Sequence, residues 1–314
     1  MKILIFGAGG VGSVVGGFLA RTGHEVSLLG RPWHLDVIRK NGLSISGIWG
    51  DYRMKAFDLY TDTAQIQKEA IPFDLIILTV KSFDTEEAVR QLWPLMNENT
   101  MLLSLQNGLG NLEAILKKVP ADQFLVGRII FGVDTIPGAV KVTVNADSVY
   151  IGPVPGTSPK LSAARMAATL NTAKIPTQSV TDILPYIWSK VVYNCALNAI
   201  CTIHKMPYGK ILENEETRES MKAIVRECYS VGLKKGVSLQ PASAEEYIDL
   251  LIHTLIPKTA SHFPSMLQDM RRGKRTDIEA LNGAITRLGK ELGIATPANE
   301  SVSRLLILEN PSHA

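Results

Sequence analysis

Residues Gly7-Ala8-Gly9-Gly10-Val11-Gly12 follow an apolar run at 3–6 and precede an amphipathic stretch carrying Val11, Val14, Val15, Phe18 and Leu19. A strand, a glycine-rich turn and a helix in that order constrain the fold more than any other part of the chain. Glycine at the first position permits the sharp turn out of a strand. At the second it lets backbone amides approach a pyrophosphate, and at the last it lets the helix lie close on the sheet. The partial positive charge at the helix start then favours the diphosphate. The motif predicts a Rossmann-type α/β sheet and a dinucleotide held by Gly7, Ala8, Gly9, Gly10, Val11 and Gly12.

The rest of the composition narrows the class. With 314 residues there is room for two ordinary domains, and the net charge of +3 comes without a Lys/Arg block. Neither nucleic acid nor a membrane surface is therefore an expected partner. The three cysteines, Cys195, Cys201 and Cys228, have no Cys-x-x-Cys spacing, which argues against a disulfide framework or zinc site and for the cytoplasm. The apolar run at the N-terminus is too short for a signal peptide, and no uninterrupted apolar stretch is long enough to span a membrane. The histidines at 24, 34, 204, 253, 262 and 313 are scattered, with no His-x-x-x-His pair, so no metal site is expected.

The first half alternates strand and helix. Strands are expected at 3–6, 25–29, 73–80, 101–105, 124–131 and 177–180, and helices near 11–22, ahead of Gly42, at 111–118 and at 159–174. Residues 73–80 are almost wholly apolar, the pattern of a central parallel strand covered on both faces. Residues 43–46 and 52–60 read as an extended pair outside the parallel sheet. Residues 140–144 and 148–151 read as a hairpin about Asn145-Ala146-Asp147. Beyond Pro185 the period is helical, with segments near 186–204, 215–235, 243–255, 263–272 and 277–292. The expected organisation is a Rossmann-type nucleotide domain at 1–181 and an all-α substrate and catalytic domain at 182–314, with the active site in the cleft between them.

In NAD-binding versions of such a unit, an acidic residue closing the second strand bonds the ribose 2′-hydroxyl. Leu29-Gly30-Arg31 stands there instead, and Glu25 comes too early in that strand to substitute. A guanidinium pairs with a phosphate, and the missing carboxylate removes repulsion, so NADP is the expected cofactor. Lys81 and Asn107 follow the strands at 73–80 and 101–105, where open α/β sheets bind ligands. Lys81 would reach ribose or phosphate, and Asn107 the nicotinamide side. The competing readings are a solvated arginine at 31, a surface lysine at 81 and an Asn-Gly turn at 107–108.

The helix at 186–204 is the most discriminating segment. Lys190, Asn194, Asn198 and Thr202 recur every four residues and share one face. Asparagine is a poor helix-interior residue, and a buried lysine costs free energy unless an anion meets it. One cation beside two amides suits gripping a carboxylate and a hydroxyl while the ammonium protonates a carbonyl oxygen becoming an alkoxide. A stripe that merely faces water is the alternative.

With Ser265-Met266-Leu267-Gln268-Asp269 and Thr276-Asp277-Ile278-Glu279-Ala280-Leu281-Asn282-Gly283, these features resemble the 2-dehydropantoate 2-reductase (ketopantoate reductase) family, in the same order along essentially the whole chain. The resemblance implies an oxidoreductase of the pantothenate and coenzyme A pathway that reduces 2-dehydropantoate to (R)-pantoate with NADPH. It implies Lys190 as proton donor, Asn107, Asn194, Asn198 and Ser265 at the substrate, and Lys81, Asn107 and the backbone near Val133 at the cofactor. Asp277 stands where the family carries a glutamate that holds the cofactor and positions the lysine, with Glu279 nearby. Tyr208 stands where the family can carry an asparagine near the substrate. The chemistry agrees: hydride reaching C2 leaves charge on the keto oxygen for Lys190 to protonate, and a carboxylate at Asp277 would keep that ammonium charged. The alternatives are a reductase of a different 2-keto acid and a non-catalytic NADP sensor, which would have no use for the Lys190 face. The expected partner is a small-molecule 2-keto acid. The helical half could form a homodimer, although no isolated apolar stripe demands one.

Overall fold

The first strand carries Ile3, Leu4 and Ile5, all fully buried, and the computed structural model places it inside the main sheet. The structure describes residues 1–310 and 312. Contacts divide the chain into two compact units, Met1–Gln106 with Asn111–Ile183, and Asn107–Gly110 with the chain from Leu184 onward.

The strands of the first unit are β1 (Lys2–Phe6), β2 (Glu25–Leu29), β3 (Leu43–Gly47), β4 (Tyr52–Met54), β5 (Asp58–Tyr60), β6 (Leu75–Leu78), β7 (Met101–Ser104), β8 (Phe124–Arg128), β9 (Phe131–Ile136), β10 (Ala139–Asn145), β11 (Val149–Pro153) and β12 (Thr177–Ser179). Eight form one sheet in the order β12-β11-β8-β7-β6-β1-β2-β5, parallel except where β11 runs against β8. All four residues of β6 are buried, as expected of a parallel strand covered on both faces. Phe6 is level with Leu29 on one side and Leu78 on the other, so Gly7, Gly30 and Thr79 leave the sheet side by side.

Three expectations for the first unit need correction. Residues 52–60 make two strands: β4 pairs antiparallel with β3, whereas β5 joins the main sheet parallel to β2. Residues 124–131 also divide, because the chain leaves the main sheet after Arg128 and begins β9 in a second sheet, β4-β3-β10-β9. The expected hairpin at 140–151 does not form, since β10 lies in the second sheet and β11 in the first. The actual hairpin is β9–β10, turned at Pro137-Gly138 with Gly138 at φ 72°. A Pro-Gly pair is a stronger turn signal than the polar tripeptide further on.

In the second unit the helix Leu184–Ile203 buries Trp188, Val191, Val192, Cys195, Ala196, Leu197 and Ile200 in a core shared with the helix Glu215–Lys234. The segment at 277–292 is not one helix. A 3₁₀ turn, Ile278–Ala280, is separated from the helix Asn282–Leu292 by Leu281 at φ −107°, ψ −105°. The Ala280 carbonyl accepts from the Leu109 amide at 2.8 Å instead of continuing a helical ladder. A helix at Pro297–Glu309 lies outside the expected segments, although Thr296-Pro297 carries its start signal. No helix among the described residues is long and apolar enough to cross a membrane.

Candidate active site

The glycine loop is fixed by backbone contacts. The amides of Gly7 and Ala8 both donate to the Leu29 carbonyl, at 3.0 and 2.8 Å. The Thr79 hydroxyl donates to the Gly7 carbonyl at 2.7 Å. Gly7 sits at φ +109°, and a Cβ there would stand 2.9 Å from the Val80 nitrogen, so only glycine fits. A Cβ at Gly12 would stand 2.6 Å from Thr79 Oγ1 and 2.8 Å from Ile5 Cγ2, which explains the close seat of the helix Gly10–Ala20 on β1.

Gly9 is different. It is exposed, the nearest heavy atom to a Cβ built on it is 4.0 Å away, and as N-cap residue it supplies no side chain to the first-turn amides. An open backbone surface at a helix start is the cradle a diphosphate requires. Val133 flanks it, since a Cβ at Gly10 would lie 3.1 Å from Val133 Cγ1. Arg31 is exposed and is the N-cap residue of the helix Pro32–Asn41, directly after β2. Lys81 is half-buried and is the N-cap residue of the 3₁₀ turn Ser82–Asp84 after β6. The residues fit a dinucleotide carrying a 2′-phosphate.

The second unit assembles a side-chain constellation. Lys190 Nζ donates to Asn107 Oδ1. Asn107 is seated by its neighbours: Leu109 bonds Ala280, and Gly108, at φ +84°, lies so near that a Cβ would be 2.7 Å from the Ala280 oxygen. Asp277 opens the same turn, buried, its carbonyl accepting from the Ala280 amide at 3.0 Å. The structure thus brings Asn107 to Lys190 and packs its segment against the Asp277–Ala280 turn. Glu279 is engaged elsewhere, its carboxylate paired with the Arg275 guanidinium.

Burial deepens along the lysine face. Lys190 and Asn194 are half-buried, and Asn198 and Thr202 are buried, so the stripe does not simply face water. The Tyr208 hydroxyl donates to Asn198 Oδ1 at 2.6 Å, which fixes the orientation of that carboxamide. The Tyr208 ring packs edge-on against Tyr193 and beside His262, and its amide donates to the His262 carbonyl at 3.0 Å. The segment leading to Ser265 is thereby tied to the asparagine helix. Ser265 itself is exposed at the start of the helix Ser265–Arg271. Burial pushes the Tyr208 phenol well above its ordinary pKa, and the Cys201 thiol up to about 12. The Cys195 thiol, fully buried against Cys228, is raised as well, which removes both as nucleophiles at neutral pH.

Other supporting residues carried no local signal. Gln106 donates through Nε2 to the Val80 carbonyl at 3.1 Å and to Thr85 Oγ1 at 2.7 Å, joining the ends of β6 and β7. Asn282 Nδ2 donates to the Cys195 carbonyl at 3.1 Å and to Asn299 Oδ1 at 3.0 Å, bracing the helix between Asn194 and Asn198. Glu227 accepts from the amides of Ala298 and Asn299 at 2.8 and 2.9 Å and from Asn299 Nδ2 at 2.7 Å. These contacts require the fold to be known. Gln106, beside Asn107, and Asn282 lay within stretches already singled out.

Residues 3–156 match the family described as ketopantoate reductase PanE/ApbA, and residues 182–309 match its C-terminal counterpart. The chain is 39% identical to the 2-dehydropantoate 2-reductase of Aquifex aeolicus (strain VF5) over 311 residues, 98% of this chain and 96% of that protein. It is similar to the crystal structure of a PanE/ApbA family ketopantoate reductase from Ralstonia eutropha JMP134, with 31% identity and a TM-score of 0.84 over 100% of this chain and 99% of that one. D-mandelate dehydrogenase, solved with NADH and anilino(oxo)acetate, gives 28% identity and a TM-score of 0.89 with the same coverage. The chain belongs to the ketopantoate reductase family.

Proposed function

We propose that this chain is an NADPH-dependent 2-dehydropantoate 2-reductase, which reduces the C2 ketone of 2-dehydropantoate to give (R)-pantoate. The observation that carries this reading is the Lys190–Asn107 contact on the helix that also presents Asn194 and Asn198. Bound NADPH supplies the hydride. Gly7, Ala8, Gly9, Gly10, Val11 and Gly12 hold its diphosphate, with Val133 beside the loop, Arg31 on the 2′-phosphate and Lys81 on ribose or phosphate. Lys190 stabilises the charge developing on the keto oxygen and gives it a proton, a task for which a positioned ammonium is suited. Asn107 fixes that ammonium by accepting from it, and Asp277 is the carboxylate that positions lysine and cofactor. Asn198, oriented by Tyr208, has its Nδ2 donors for the substrate carboxylate, and Asn194 and Ser265 complete the polar contacts. Three free, buried thiols suit a reducing compartment, and we place the enzyme in the cytoplasm.

The likeness to D-mandelate dehydrogenase makes an aryl 2-keto acid the alternative to exclude. Initial rates of NADPH oxidation with 2-dehydropantoate, benzoylformate and unbranched 2-keto acids test the reading, with NADH run in parallel. The expected outcome is the highest kcat/KM for 2-dehydropantoate with NADPH. Faster turnover of benzoylformate would overturn the substrate, and equal rates with NADH would overturn the cofactor preference.

A further inference from the structure

His34 is the one histidine buried among the described residues, three positions after Arg31 in the helix Pro32–Asn41. Its Nδ1 accepts from the Gly138 amide at 3.1 Å. A ring nitrogen that accepts carries no proton, so the neutral imidazole must hold its proton on Nε2. Nε2 lies 3.0 Å from Ser13 Oγ, to which it donates in this tautomer, and the Ile136 backbone of the same hairpin also hydrogen-bonds the imidazole. Burial favours this neutral form and lowers the pKa.

Each partner belongs to a different element around the nucleotide loop. Ser13 is on the glycine-loop helix, and its amide donates to the Gly9 carbonyl at 2.9 Å. Gly138 turns the β9–β10 hairpin and packs directly on Val37 of the Arg31 helix. The same hairpin supplies Thr135 and Val133, which crowd Gly10 so closely that a Cβ there would stand 2.7 Å from Thr135 Oγ1. The His34 amide bonds the Arg31 carbonyl at 3.1 Å, so the two residues are joined within one helical turn of backbone. One imidazole therefore ties the glycine loop, the Arg31 helix and the flanking hairpin together.

We propose that His34 is a specificity-determining positioning residue that holds Arg31 in register with the glycine loop, so that the diphosphate and the 2′-phosphate are met together. This rests on Arg31 as the 2′-phosphate contact. NADH, which lacks that phosphate, makes no use of Arg31. Loss of the clasp therefore weakens NADPH and spares NADH, a split that general destabilisation does not produce.

Fluorescence titration gives the Kd of each nucleotide for wild type and for His34→Ala, His34→Asn, His34→Gln and Arg31→Ala. His34→Ala should weaken NADPH about fivefold to tenfold, with NADH within about twofold. Asparagine keeps an acceptor near Nδ1 and glutamine a donor near Nε2, so each should restore part of the loss. Arg31→Ala should weaken NADPH about tenfold to a hundredfold and leave NADH unchanged. Equal losses for both nucleotides in His34→Ala, or no loss, overturn the proposal while the Arg31 result stands. An Arg31→Ala variant with unaltered NADPH affinity removes the underlying reading and the proposal with it. Imidazole ¹⁵N shifts of the wild-type protein give a test independent of any variant's folding: a proton on Nε2 supports the clasp, and one on Nδ1 overturns it.

Discussion

The helix Gly10–Ala20 and the helix Pro297–Glu309 both begin without a side-chain cap from their own N-cap residue, and they deal with the exposed amides in opposite ways. The second is closed from within the protein, because Glu227 reaches across from another helix to accept from Ala298 and Asn299. The first is preceded by Gly7-Ala8-Gly9, which bring no polar side chain, and Gly9 is exposed. Amides of the same kind serve stability in one place and remain available to an anion in the other. The contrast extends to the two sites. The glycine loop is made of backbone and is damaged by adding atoms, whereas the Lys190 constellation is made of side chains and is damaged by removing them.

The largest effect expected from that contrast is at Lys190. Lys190→Ala should lower kcat by about two to four orders of magnitude, the usual range for a general acid. The Kd for NADPH, measured by fluorescence titration, should stay within about twofold of wild type. More than roughly a tenth of wild-type turnover would remove Lys190 as proton donor. Next in size is the opposite operation, Gly9→Asp. At φ −86° the backbone accepts any residue, and aspartate is a good N-cap, so apo stability should move by only a few tenths of a kcal/mol. NADPH affinity should fall at least about tenfold, since a carboxylate then competes for the amides and repels the diphosphate. Denaturant unfolding beside nucleotide titration checks both. A variant that loses stability in step with affinity would show that the loop was not open to begin with.

Glu227→Ala tests the other half of the comparison. Two backbone amides and the Asn299 carboxamide lose a charged acceptor, for an expected cost of about 2–3 kcal/mol in denaturant unfolding. Nucleotide affinity should not change. A stability indistinguishable from wild type would mean that the Pro297–Glu309 amides find other partners.

The same division explains what was legible in the sequence. The glycine loop is a local constraint: Gly7 needs a positive φ and Gly12 a bare Cα, and both requirements appear as spelling over six residues. The Lys190, Asn194 and Asn198 face is legible because helical period places those residues together wherever the helix goes. Asn107 was legible as a candidate, but its attachment to the second unit depends on the Ala280 carbonyl, far along the chain. The division of residues 124–131 between two sheets was hidden because Ile129 and Ile130 are as apolar as the strands they separate. His34, Glu227 and Asn299 read as ordinary polar residues until the fold supplies Ser13, Gly138 and the start of the last helix. Long-range polar contacts leave no periodicity, so they are the part that only a structure reveals.

Titration gives the smallest expected effects, with buried imidazoles in the first unit and buried phenols and thiols mostly in the second, Tyr60 of the first unit being raised as well. In the first unit burial lowers the imidazoles of His34 and His24 from the ordinary 6.5. The unfolded chain then binds more protons than the folded one below about pH 6.5, so stability falls as pH drops through that value and is unaffected above it. In the second unit burial raises Cys195, Tyr208 and Tyr247 above 9.0 and 10.0. There the unfolded chain loses protons first, so their contribution is intact below about pH 9 and declines as pH rises through those values. Unfolding midpoints measured from pH 5 to pH 10.5 should therefore fall at both ends. His34→Asn should make the acid limb shallower and leave the alkaline one, and Tyr208→Phe should do the reverse, the remainder of each limb staying with the other buried groups. If either substitution changed both limbs, the two ends would report general loosening, and neither group would contribute specifically to the limb assigned to it.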